Sequence, residues 1–160
     1  MSLHTTKKRG CRYWLNLGLF ALGAIFIGLL FLQFVGHPYF LSKGWAHPNS
    51  PAVCCTTPAD YGWDYEEVSF STADGLTLRG WYIPSRNEAA VILAHSIGSN
   101  RVSMLPLADL LARHDYGVLL FDIRTHGESE VTVLPFGGDE AEDVICAATY
   151  LQTRDELDPN

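Results

Sequence analysis

A hydroxyl and an imidazole stand side by side where an apolar run ends. Ala89 to Ala94 runs into His95-Ser96-Ile97-Gly98-Ser99-Asn100-Arg101, and Ala94-x-Ser96-x-Gly98 has the spacing of a strand-to-helix turn that presents a nucleophilic serine. Asp122 and His126 follow it in the order Ser, Asp, His. A serine hydroxyl within reach of an imidazole attacks acyl carbons, so the chemistry on offer is acyl transfer through a covalent intermediate. Ser96 is thus one candidate nucleophile, with Asp122 and His126 as acid and base. Asp122 and His126 stand close in sequence for such a trio.

The elements that must position these residues are legible around them. Val118 to Phe121 is a second apolar run, closed by Asp122. Between the two runs, Met104, Leu107, Ala108 and Leu111 recur at helical spacing. Strand, helix, strand makes a βαβ unit, and uninterrupted apolar strands belong inside a parallel sheet. Polar loops at the C-terminal ends of such strands are where open α/β sheets place their chemistry. Ser103 is the expected N-cap of the helix, with Pro106 in its first turn. Upstream, Tyr65–Ser71 and Leu76–Ile83 alternate around Asp74-Gly75, which predicts a β-hairpin. Leu76, Leu78 and Tyr82 share one face of its second strand. Downstream, Asp139 to Gln152 is predicted helical, with Ala141, Val144, Ile145, Ala148 and Leu151 as its apolar stripe. Asp139, Glu140, Glu142 and Asp143 crowd its first turn, where the helix dipole favours negative charge, and are read as helix-end stabilisers and not as metal ligands.

Charge is distributed unevenly. All 18 acidic residues lie at or after Asp60, against six basic ones, so this part carries a net −12. Lys7, Lys8, Arg9, Arg12 and Lys43 precede it. An acidic body without a basic stripe argues against nucleic acid as a partner. Trp14 to Val35 contains no charge and has the length of a bilayer-spanning helix. Tyr13 and Trp14 suit one interface, and Tyr39, Phe40 and Trp45 the other. Phe34-Val35-Gly36-His37-Pro38 offers no small-residue cleavage site, which favours an uncleaved signal-anchor over a signal peptide. Residues 1–13 then form a basic cytoplasmic tail, 14–35 a single span with the bilayer as partner, 36–62 a proline-rich linker, and 63–160 an extracytoplasmic α/β domain at the cell membrane. Cys11, Cys54, Cys55 and Cys146 show no metal-site spacing, and adjacent Cys54 and Cys55 do not readily bridge to each other. Free thiols are expected, with Cys11 unmodified although its place beside the helix suits acylation.

Several motifs in one order carry a more specific reading. They are Asp74-Gly-x-x-Leu-x-Gly-Trp81, the strand ending in His95, Asn100-Arg101, Leu119-Leu-Phe-Asp-x-Arg-x-His-Gly-Glu-Ser129 and Phe136-Gly-Gly-x-Glu140. Residues 58 to 160 resemble the N-terminal half of an α/β-hydrolase, in the membrane-anchored, serine-aminopeptidase-like branch. The resemblance implies ester, amide or peptide hydrolysis on a small acyl or peptide substrate, with no cofactor. It also implies that the Ile97 backbone N–H forms half of an oxyanion hole, leaving His95, Asp122, Arg124, His126 and Ser129 to shape the loops. Two glycines usual in that pattern are here Ser96 and Thr125, which is expected to distort the oxyanion loop. The nucleophile elbow of that pattern would begin just beyond Asn160, with acid and histidine later still. The chain is therefore expected to be a truncated hydrolase, inactive alone, with the strand ending at Ala94 as an uncovered edge. Two alternatives stand beside this: an active lipase-like enzyme using Ser96, and a non-enzymatic membrane-tethered binding module.

Overall fold

The structure is a computed structural model and describes residues 6–46 and 50–158. Two compact units divide at Gly44 and Trp45. The first is helical. Helix α1 (Thr6–Phe31) passes through one wide π-type turn, Leu32–Gly36, into helix α2 (His37–Ala46). Helix thus begins before Trp14 and runs past Val35 into the stretch read as linker. Pro38 has no N–H and would collide with the carbonyl four residues back in an unbroken helix. The wide turn, in which the His37 N–H reaches back to the Leu32 carbonyl, relaxes that register and lets the helix continue. Residues Arg12–Ala46 are long and apolar enough to cross a membrane, with a mean hydropathy of 2.4 over the best window. Of the tail, residues 1–5 lie outside the described residues, as do the side chains of Lys7, Lys8, Arg9 and Cys11; His47 and the end of the turn at Asp158-Pro159-Asn160 lie outside them too.

The second unit is a four-stranded mixed sheet between helices. The predicted hairpin forms from β1 (Glu66–Ser71) and β2 (Thr77–Ile83), antiparallel with Glu66 opposite Tyr82 and Ser71 opposite Thr77. Strands β3 (Ala90–Ala94) and β4 (Gly117–Phe121) are parallel, joined through α3 (Leu105–Ala112). Strand order is β1-β2-β4-β3, so β4 is central and β3 lies at an edge. All five residues of β4 are buried, as its unbroken apolar run requires. Val118 and Leu120 pack towards α3 with Trp81, Ile83, Leu93, Leu105 and Ala108. Leu119 and Phe121 pack on the other side with Val68, Phe70, Leu78, Tyr82 and the residues of α4 (Asp139–Leu151). Each such large apolar side chain contributes about 1.5–3 kcal/mol on burial.

Two helices differ from their sequence patterns in a way that matters for the loops. Ser103 does not cap α3. Asn100 caps a 3₁₀ turn, Arg101–Met104, its side-chain oxygen accepting the Val102 N–H at 3.0 Å, and α3 starts only at Leu105. In α4 the buried line is Asp143, Ala147 and Leu151, while Val144 and Ile145 are exposed at 39% and 55%. The apolar stripe loses to an ion pair: Asp143 turns inward to meet Arg124 and sets the rotation of the helix about its axis. Asp143 is accordingly no solvated helix-end stabiliser. Among the described residues there is no cluster of three or more metal-ligating side chains, and Cys54, Cys55 and Cys146 are free.

Candidate active site

The loops after β3 and β4 meet at the C-terminal ends of the two parallel strands. After β3 the chain makes one tight turn. The Ser99 N–H donates to the Ser96 carbonyl at 3.1 Å, and Gly98 at the third position has φ +79°. That combination is a type II turn, which needs a positive φ at its third residue and so calls for glycine. Ile97 is the second residue, 52% exposed. Its N–H is engaged by no hydrogen bond among the described residues.

The turn is gripped from the loop after β4. His126 is buried, and its Nε2 accepts the Gly98 N–H at 2.9 Å while its Nδ1 donates to the Arg124 carbonyl at 2.9 Å. His95 is buried beside it, the two rings edge to face at 5.2 Å. The His95 Nδ1 donates to the Ser96 carbonyl at 2.9 Å, and its Nε2 accepts the Ile123 N–H at 3.3 Å. With Nε2 accepting, His95 is neutral. Its Nε2 lies 3.8 Å from an Asp122 oxygen, but the two form no ion pair, because burial pushes the His95 pKa down. The Ser96 carbonyl and the Asp122 charge oppose that push, and His126 adds to it. The folded-state pKa lies below the unfolded value, so the unfolded chain binds more protons once pH falls below about 6.5. Stability is therefore expected to fall as the solution is acidified from neutrality through that range. Thermal melts between about pH 7.5 and pH 5 check this, and His95→Asn is expected to flatten the slope.

Asp122 is fully buried and saturated. It accepts the Arg101 N–H at 2.7 Å, Arg101 Nη1 at 2.8 Å and the Glu128 N–H at 3.0 Å. Arg101 also pairs with Glu128 and lies 4.4 Å over the Trp81 ring. A Cβ on Gly127, where φ is +52°, would stand 2.1 Å from Asp122 Oδ2, so only glycine lets the loop close on this carboxylate. Thr125 holds φ +70° without glycine. Its Oγ1 donates to the Thr132 carbonyl at 2.9 Å and accepts the Thr132 N–H at 3.1 Å, which offsets the strain. Ser96 sits where no positive φ is needed. The two replaced glycines therefore leave the loops intact, contrary to the expected distortion.

Arg124 is the largest fully buried side chain. It holds Asp143 through Nε at 3.0 Å and Nη2 at 2.7 Å, and Asp74 through Nη1 at 3.0 Å. Asp143 in turn accepts the Arg124 N–H at 3.1 Å. Ser129 Oγ donates to the Asp122 carbonyl at 2.6 Å and accepts the Arg79 N–H at 2.9 Å. One contributor was invisible in sequence. Ser50 Oγ accepts the Gly127 N–H and donates to the Ser99 carbonyl, both at 2.9 Å, and Asn100 Nδ2 donates to the Pro51 carbonyl at 3.0 Å. The segment read as linker is a strap across both loops. No pattern marks it, because a serine among prolines reads as coil.

The geometry assigns the candidates unequally. Ser96 is exposed, and its backbone carbonyl, not its hydroxyl, meets His95. His126 is used by Gly98, and Asp122 by Arg101. The three are not linked as nucleophile, base and acid. Ile97 presents an unengaged N–H on a rigid turn.

No protein-family model matches the chain. It is similar to a thiohydrolase, AneE, of Aspergillus aculeatus, 36% identical over 99 residues that cover 59% of this chain and 31% of that protein. It is similar to the uncharacterized protein YfhR of Escherichia coli, 31% identical over 103 residues, 61% of this chain and 36% of that one. The chain thus spans about a third of the length of these relatives. Among solved structures, the Pyrococcus furiosus esterase Pf2001 superposes with a TM-score of 0.64 at 31% identity, over 71% of this chain and 45% of the esterase. The α/β hydrolase GrgF from a Penicillium superposes with a TM-score of 0.51 at 27% identity, over 59% and 34%.

Proposed function

We propose, from the α/β-hydrolase-like fold and its relationship to esterases and thiohydrolases, that this chain forms the oxyanion-side portion of a membrane-anchored serine hydrolase. The reaction is transfer of an acyl group from an ester, thioester, amide or peptide to water. A serine hydroxyl attacks the carbonyl carbon, its proton passes to an imidazole, and the carbonyl oxygen becomes an alkoxide. The Ile97 N–H donates to that alkoxide. Collapse expels the alcohol, thiol or amine, and water then hydrolyses the acyl-enzyme. The observation that carries this reading is the unengaged N–H of Ile97 on a turn fixed from three sides. A donor held rigid before charge develops needs no reorganisation during the reaction, which is what makes such donors effective.

The nucleophile, acid and base are proposed to come from a segment following the one described, in the order Ser, Asp or Glu, His. Residues 1–160 are then silent alone. Treatment with a serine-reactive fluorophosphonate is expected to leave them unlabelled, and Ser96→Ala is expected to change nothing. Labelling at Ser96 would instead identify a working enzyme in this chain. The anchor is the apolar helix of Arg12–Ala46, with the basic cluster of Lys7, Lys8, Arg9 and Arg12 on the cytoplasmic side and the sheet on the other. Resistance to alkaline carbonate extraction tests the anchor, and release into the supernatant would refute it.

A further inference from the structure

We infer that His126 is a positioning residue that selects the orientation of the Ile97–Gly98 peptide, and that its protonation flips that peptide. It goes beyond the reading of Ile97 as an oxyanion donor, because the Ile97 N–H belongs to the preceding peptide, between Ser96 and Ile97. Type I and type II turns share their outer residues and differ mainly by a half-rotation of the middle peptide. Here the middle peptide joins Ile97 to Gly98, and its N–H is the group that His126 Nε2 accepts at 2.9 Å. Gly98 carries no Cβ to bias the choice, so both orientations are sterically open to it. The imidazole decides between them. With Nδ1 committed to the Arg124 carbonyl, a neutral ring has only an acceptor at Nε2, and that acceptor stabilises the type II form. A protonated ring has only a donor there. It repels the Gly98 N–H and accepts nothing, but it can donate to the Ile97 carbonyl, which the half-rotation brings round to face it. Each protonation state therefore has its own best turn, which makes a two-state element with distinct contacts in each state.

The charged and titratable groups on the elements packed here are His95 on the β3 turn, Arg101 on the 3₁₀ turn, and Asp122, Arg124 and Glu128 on the loop after β4. Asp122 is matched by Arg101, and Arg124 by Asp143. The His95 Nε2 accepts the Ile123 N–H, a bond on the loop after β4 and outside the turn. His126 is thus the group in this cluster whose change of charge meets a hydrogen bond of the turn itself.

The test is NMR on the full chain in detergent micelles, following the Gly98 amide and the His126 ring nitrogens between about pH 8 and about pH 5. Expected is a ring with its proton on Nδ1 at the upper end, and Gly98 amide and Ile97 carbonyl shifts that titrate together with Nε2. In His126→Phe the Gly98 amide is expected to exchange about tenfold faster, the scale of one lost hydrogen bond, with Val118–Phe121 unchanged. In His126→Gln, whose side-chain oxygen accepts, most protection is expected to return. A Gly98 amide indifferent to both pH and His126→Phe would overturn the inference. Equal loss of protection in β4 would overturn it too, because His126 would then merely support the fold. The wild-type titration stands even if His126→Phe does not fold. Should Ile97 prove no oxyanion donor, Gly98 and His126 would still titrate together, so failure of that reading is seen separately.

Discussion

Replacing Ile97 with proline is expected to lower kcat for ester hydrolysis by about 10²–10³, the effect of removing one oxyanion donor. The substitution is unusual in being a clean deletion of one hydrogen. Ile97 is the second residue of a type II turn, where proline's fixed φ is favoured. Its side chain is half exposed and fills no core position. Ser96 precedes it two residues beyond the end of β3, outside any helix, and a residue before proline is disfavoured only in the helical region. The missing N–H breaks no hydrogen bond of the resting structure. The melting temperature is therefore expected to stay level, and KM to change little, since the donor acts on charge that develops only in the transition state. Ile97→Val, which keeps the N–H, is expected to retain full activity. The measurement is p-nitrophenyl ester hydrolysis by a preparation that carries the nucleophile. Equal kcat for Ile97→Pro and Ile97→Val would remove Ile97 from the mechanism.

The largest effect on stability is expected at Arg124. Replacing it with methionine leaves Asp143 buried with its strongest partner gone, which costs about 3–5 kcal/mol by the general behaviour of broken buried ion pairs. The Arg124 backbone N–H still reaches Asp143, but one N–H does not balance a buried charge. The double variant Arg124→Met with Asp143→Leu is expected to recover most of the loss, because an apolar pair of similar volume avoids the desolvation penalty. Urea denaturation of the parent and the two variants checks both statements. A single variant as stable as the parent would mean that Asp143 escapes to solvent, and so that it does not set the rotation of α4.

The parts of this molecule readable in sequence are those whose cause is local or periodic. Strand β4 declares itself because both its faces are covered, so Val118 to Phe121 has no polar interruption. The hairpin is readable because Asp74-Gly75 and the alternation around it are adjacent in the chain. The turn after β3 is readable as a position because a strand end and a glycine mark it. What escapes is what depends on a distant partner. The four carboxylates opening α4 look alike until Arg124 pairs with two of them, Asp139 at the surface and Asp143 in the interior, and the buried Asp143 turns the helix against its apolar stripe. Ser50 gives no sign of bridging Ser99 and Gly127, its partner 77 residues away. The capping of the segment after the turn passes from Ser103 to Asn100, because Asn100 is also held by the strap. The two misjudged glycine replacements differ in origin: Ser96 stands where no positive φ is needed, and Thr125 tolerates a left-handed backbone because Thr132 is there to bind its hydroxyl.

The most direct measurement is a crystal structure of a catalytically competent preparation after reaction with a fluorophosphonate, whose phosphoryl oxygen occupies the place of the alkoxide. That oxygen is expected within about 2.7–3.1 Å of the Ile97 nitrogen, with the phosphorus on a serine other than Ser96. Phosphorus on Ser96 Oγ, or an oxygen turned away from Ile97, would contradict the account.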